Sequence, residues 1–183
     1  IVVSGANDKI DAKKAASSLL EIEDLNVLIG QFEIPMNVTQ EVFTVAKNNG
    51  IKTILNPAPA KIPSDELLQL TDWFVPNEVE FLTITGTDAY SDENLISYGN
   101  TISSNLIVTL GENGAALVSE NSVIKISAPN VSAVDTTGAG DAFVGAFAFG
   151  IASGDSPEES ISLGIQKASD SVTRTGTQSS YKA

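Results

Sequence analysis

An α/β fold with a mostly parallel central sheet and an antiparallel edge is predicted by this sequence on three observations. Short β-rich runs alternate with helical periods through the first half of the chain. From Leu106 the alternation gives way to strand-like runs separated by turn dipeptides. Then comes Val134–Gly154, where Gly138 and Gly140 precede Asp141 and an apolar helix rich in Ala, Gly and Phe.

The β-rich runs are Ile1–Ser4, Val27–Gly30, Thr53–Asn56, Trp73–Val75 and Leu106–Thr109. A helical period covers Asp11–Leu20, with Asp11 as its N-cap. A second covers Thr39–Lys47 and stops at Asn48-Asn49-Gly50. A third covers Ser64–Leu70, where Ser64-Asp65-Glu66 suits a helix start. Leu106–Pro129 reads as antiparallel strands, with Asn113-Gly114 as a two-residue turn and Glu120-Asn121 as the next. A helix opens at Asp141, and Ser156-Pro157-Glu158-Glu159 starts another that runs to about Thr173. No repeat or linker interrupts the chain, so residues 1–183 read as one domain. In parallel sheets ligands bind beyond the carboxyl ends of the strands. Attention therefore falls on Asn7, Gln31, Glu33, Asn56, Asn77, Glu80 and Thr109.

Composition narrows the chemistry. The 183 residues can bury a sizeable core, and no apolar run approaches the ~20 residues that span a bilayer. A net charge of −13 argues against nucleic acid or an anionic membrane as partner. The chain has no cysteine, which fits a cytoplasmic protein and removes thiolate zinc sites. It has no histidine, which removes Ser-His-Asp triads and imidazole bases. Acid–base chemistry falls to carboxylates, Lys, Tyr or water. The chain opens on IVVSG without Met, which reads as a cut within a longer protein.

Gly138-Ala139-Gly140-Asp141 joins a flexible turn to a helix N-terminus. Unpaired amides and the helix dipole there favour an anion, with a carboxylate at the rim. The pairing suits transfer of a phosphoryl group to a hydroxyl: amides hold the phosphate and Asp141 takes the proton. The plainer alternative is a tight turn into a closely packed helix. A dinucleotide loop would need its third glycine at Phe143, and no Walker lysine motif occurs. Asp135 as a phosphorylated nucleophile is a weaker reading. Asn77 and Glu80, one helical turn apart, are either a helix cap or a pair holding water on Mg²⁺. Thr109–Gly114 is either a hairpin or a loop laid along a nucleotide.

Read together, these motifs resemble the ribokinase family of sugar kinases, within the larger PfkB carbohydrate kinase group. The resemblance rests on Gly5–Asn7, Gln31-Phe32-Glu33-Ile34-Pro35, the NPAPA loop Asn56–Ala60, Pro76–Glu80, Val108–Gly114, Asp135–Phe143 and Val172–Gln178, in that order. NPAPA and the Thr-Arg-x-Gly-x-Gln ending are nearer to ribokinase than to fructokinase or adenosine kinase. The resemblance implies a ribokinase-like three-layer α/β/α fold and ATP-dependent phosphorylation of a sugar hydroxyl, D-ribose to ribose 5-phosphate foremost. It leaves open another acceptor (fructose, a nucleoside, a vitamin alcohol) or a nucleotide-binding fragment without turnover. It implies ATP, Mg²⁺ and K⁺ as cofactors and a homodimeric full-length protein. Asp141 matches the catalytic base, and Gly138, Ala139 and Gly140 the anion hole. Asn77, Thr109, Leu110, Gly111, Glu112, Asn113, Gly114 and Gly140 match nucleotide contacts. Glu33 and Asp141 match sugar contacts, and Asn77 with Glu80 the indirect Mg²⁺ site. Asp135, Thr137, Ser171, Arg174, Gly176 and Ser180 match the K⁺ site, mostly through carbonyls.

Departures from the family are also visible. Nothing matches its N-terminal sugar-binding part and β lid, and its final helix is missing, so the isolated chain is expected to be inactive. Ile165 stands where Asn or His lies near adenine. Lys167 and Asp170 replace small apolar residues, which is expected to weaken helix packing.

Overall fold

The computed structural model describes residues 4–181. The strand expected at Ile1–Ser4 falls outside that range except for Ser4, which is in no strand. One six-stranded sheet runs in chain order: β1 (Val27–Gly30), β2 (Lys52–Leu55), β3 (Trp73–Phe74), β4 (Asn105–Thr109), β5 (Ala115–Ser119) and β6 (Ser122–Ile126). The β1–β4 pairs are parallel; β4–β5 and β5–β6 are antiparallel. The helices are α1 (Ala12–Leu19), α2 (Met36–Asn48), α3 (Asp65–Gln69), α4 (Glu78–Thr85), α5 (Asp92–Gly99), α6 (Ala139–Ser153) and α7 (Pro157–Ser171).

Three layers follow from the strand period of two. Leu55, Phe74, Leu106, Val108, Ala116 and Val118 point to one core with Phe43 of α2, Phe81 of α4 and Leu95 of α5. Ile54, Val75, Ile107, Ala115 and Leu117 point to the other, with Phe143, Val144 and Phe147 of α6 and Ile161 and Ile165 of α7. Strand residues buried on both faces explain why these runs are continuously apolar. None of the helices among the described residues is long and apolar enough to cross a membrane.

The expected caps form. Asp11 Oδ1 accepts from the Lys14 N–H at 3.0 Å, Ser64 Oγ from Leu67, and Ser156 with Glu159 closes a capping box. Three expectations are corrected. First, α2 starts at Met36, ahead of Thr39, because Pro35 presets the chain there without a side-chain cap. Second, α6 starts at Ala139, because the left-handed turn is at Gly138 (φ 81°). Third, Asn113-Gly114 is not a two-residue turn. A 3₁₀ turn over Gly111–Asn113 precedes Gly114, whose φ of 92° and ψ of −126° only glycine adopts readily. Of the two residues expected to weaken α7, neither lies in the core. Lys167 is exposed, and Asp170 pairs with Arg174 one turn on. Helix α5, capped by Ser91, had no counterpart in the sequence reading.

Candidate active site

The carboxyl ends of β2, β3 and β4 face the N-terminus of α6 across a cleft of about 160 Å³. Asn56, Val75, Asn77, Glu80, Thr109, Gly138, Gly140 and Asp141 line it. Residues from four separated motifs therefore meet at one spot, as strand-end positions in a parallel sheet should.

The α6 terminus is set by Gly138. A side chain there would be strained at this φ, and its Cβ would come 2.5 Å from the Tyr181 hydroxyl. The Ala139 N–H turns back to the Thr136 carbonyl at 3.2 Å, so Ala139 offers no free amide. The N–H groups of Gly138, Gly140 and Asp141 have no partner among the described residues. These free donors and the dipole behind them favour an anion in the cleft. Gly140 has open space where a Cβ would stand.

Asp141 sits at the cleft rim, exposed rather than turned inward. Its Oδ1 accepts from Gln31 Nε2 at 3.1 Å. Gln31 Nε2 also donates to Asn56 Oδ1 at 2.8 Å, and Asn56 Nδ2 donates to the Val75 carbonyl at 2.9 Å. A relay from three successive strand ends thus orients the carboxylate. Gln31 and Asn56 were flagged by position after strands and as parts of matching motifs, without a role; their link to Asp141 lies beyond what local sequence reveals.

Asn77 and Glu80 form a capping box on α4. Asn77 Oδ1 accepts from Val79 and Glu80, and Glu80 Oε2 accepts from the Asn77 N–H at 2.9 Å. The cap does not take them out of the cleft. Glu80 is 7% exposed, and burial raises its carboxyl above the usual range. Its second oxygen has no partner among the described residues. Thr109 is bridged to Asn77 as if α4 began from a short strand.

Of Thr109–Gly114, Thr109 alone lines the cleft. Leu110 is buried in the core, Gly111, Glu112 and Asn113 form the exposed 3₁₀ turn, and Gly114 is packed beneath the chain. Glu33 lies on an exposed bend between β1 and α2, outside the lining of the cleft. Ile165 is buried between α7 and the sheet.

The segment around Asp135 gathers the remaining candidates. Asp135 accepts from the Gly176 N–H and the Thr137 N–H, each at 3.0 Å. Those two amides, Gly176 first, hold its carboxyl down at about 2. Asp135 and Val134 donate their N–H groups to the Val172 carbonyl. The Ser171 carbonyl accepts from the Arg174 N–H, and Ser180 Oγ donates to the Thr177 carbonyl at 2.6 Å. Two stretches some forty residues apart, 134–137 and 171–180, thus meet beside one carboxylate.

Beside the cleft, a shallow apolar groove runs along α6 and α7, lined by Ala142, Gly145, Ala146, Phe149 and Leu163. Phe149 is 66% exposed.

A mostly parallel α/β sheet with free amides at a helix N-terminus and a carboxylate beside them defines an α/β protein with a candidate anion site. Comparison narrows the class to a family. Residues 1–183 match the model of the pfkB family of carbohydrate kinases. The chain is similar to ribokinase of Haemophilus influenzae, 34% identical over 98% of this chain and 60% of that protein. It is similar to mouse ribokinase, 39% identical over 99% of this chain and 59% of that protein. It is also similar to a deoxyribokinase of Salmonella typhi, 34% identical over 99% of this chain and 61% of that protein. Among solved structures, ribokinase from Thermotoga maritima superposes with a TM-score of 0.85 at 34% identity, over 100% of this chain and 61% of that one. Arabidopsis thaliana ribokinase complexed with ribose and ATP superposes at 0.87 and 29% identity, over 99% of this chain and 61% of that one. The chain belongs to the pfkB family of carbohydrate kinases and has the ribokinase fold. It spans about 60% of the length of the curated relatives it matches.

Proposed function

We propose that this chain is the nucleotide-binding and catalytic part of an ATP-dependent sugar kinase whose acceptor is ribose. The observation that carries the reading is the convergence of free α6 amides and the Asp141 carboxylate on one cleft. Asp141, steadied by Gln31, takes the proton of the acceptor hydroxyl as that oxygen bonds to the γ-phosphorus and the bond to ADP breaks. The amides of Gly138 and Gly140 hold the charge on the transferring group, so positioning and electrostatics supply most of the catalysis. Thr109 and the turn after it lie on the nucleotide side. Relatives named ribokinase, and one complexed with ribose and ATP, support this assignment of substrates.

Asn77 and Glu80 fit Mg²⁺ through water, since the cap uses one Glu80 oxygen and leaves the other for a bound water. A cation there would relieve the cost of a buried carboxylate and neutralise phosphate charge. Asp135 with the carbonyls and hydroxyls of Thr137, Ser171, Arg174, Gly176 and Ser180 is an all-oxygen set with a single carboxylate, which fits K⁺ better than a divalent ion.

An assay with ATP, Mg²⁺ and a panel of ribose, deoxyribose, fructose and nucleosides tests the reading. Ribose is expected to be phosphorylated fastest, by a form of the protein that includes the sugar-binding part, and slower with Na⁺ in place of K⁺. A different preferred acceptor changes the substrate; turnover indifferent to the cation removes the K⁺ site.

A further inference from the structure

We infer that Tyr181 is a positioning residue for the phosphate-binding end of α6, held in place by the Asp170–Arg174 pair. The inference rests on the reading of that helix end as a phosphate site. The Tyr181 hydroxyl donates to the Gly138 carbonyl at 2.8 Å. That carbonyl belongs to the left-handed residue that turns the Gly138 and Gly140 amides toward the cleft. The backbone beside Tyr181 is itself clamped. Arg174 Nε donates to the Ser180 carbonyl at 2.9 Å, and Nη2 reaches the same oxygen. The other side of the guanidinium meets both Asp170 oxygens.

A planar guanidinium held between a carboxylate and a carbonyl resists rotation. The C-terminal turn is therefore a strap, fixed to α7 at one end and pressed on Gly138 at the other. Thr177 completes the cover, since a Cβ on Gly138 would lie 3.3 Å from its methyl group. Burial, and then the Asp141 carboxylate nearby, raises the Tyr181 phenol above its usual range, so it stays protonated and able to donate. Asp170 thereby gains a role that a small apolar residue at that place would lack.

Tyr181→Phe removes the hydroxyl alone. Calorimetric titration of the chain with ATP and Mg²⁺, and separately with adenosine, tests the inference. The variant is expected to bind ATP about 3- to 10-fold more weakly, the worth of one hydrogen bond, with adenosine affinity unchanged. Asp170→Asn is expected to act in the same direction. In the double variant the two losses should be less than additive, because both act through one strap. Unchanged ATP affinity in both single variants overturns the inference, as does an equal loss for adenosine, which would mark a general structural role. If the unsubstituted chain binds adenosine and ATP equally, the phosphate site itself fails and the inference falls with it.

Discussion

Gly140 and Gly145 lie on one helix, α6, and a Cβ would meet nothing within 4 Å at either. Packing therefore explains neither glycine. In a helix, Gly→Ala stabilises by up to about 1 kcal/mol. For a chain of this size that raises the melting temperature by about 2–4 °C. Gly145→Ala should show this gain without touching nucleotide binding, because Gly145 lines the apolar groove and not the cleft. Gly140→Ala should be equally harmless to the fold, yet it adds a methyl at a residue that lines the cleft and carries one of the free amides. Losing one amide–phosphate hydrogen bond costs about 1.5–3 kcal/mol, or roughly 10- to 100-fold in ATP affinity. Thermal melting and calorimetric titration of both variants separate the two effects. ATP affinity unchanged in Gly140→Ala would refute the assignment of these amides to phosphate. Equal loss in both variants would point instead to a change in the helix as a whole.

Other substitutions probe the site and its frame. Asp141→Asn can still accept from Gln31, so melting should hold. In a form of the protein that turns over, kcat should fall about 10²–10⁴-fold with ATP affinity retained; near-normal turnover removes the base. Glu80→Gln keeps an acceptor for the Asn77 N–H and removes a buried charge. Because burial raises the folded-state pKa of Glu80 above 4.5, its favourable contribution is complete below that value and is lost as pH rises through the raised one. The variant should therefore melt higher than the parent at pH 7–8, with the gap closing at lower pH; a pH-independent gap would contradict this. Gly114→Ala places a Cβ 2.0 Å from the Ile126 carbonyl oxygen and should destabilise by about 3 kcal/mol or more, read by urea denaturation.

The layers were readable because burial on alternate faces leaves a signature in adjacent residues: Ile54 and Leu55 are both apolar yet serve opposite cores. Helix α5 was not, because Leu95 is its one fully buried side chain and the polar residues around it resemble a loop. The cleft was readable where a motif sits at a strand end, as Asn77 and Thr109 do, or at a helix start, as Asp141 does. The Gln31–Asp141 contact spans 110 residues and the Tyr181–Gly138 contact 43, and side-chain reach over such separations leaves no local pattern. The pairing of Asp170 went unread for a different reason. Its partner Arg174 stands four residues on, past the end of α7, where no helical period marks the spacing.

Phe149 stands in water on α6, in the apolar groove shared with Leu163 of α7. A bare ring in an open apolar groove is an adhesive flank. In concentrated solution the chain should sediment faster than at high dilution, and Phe149→Lys should keep it dispersed.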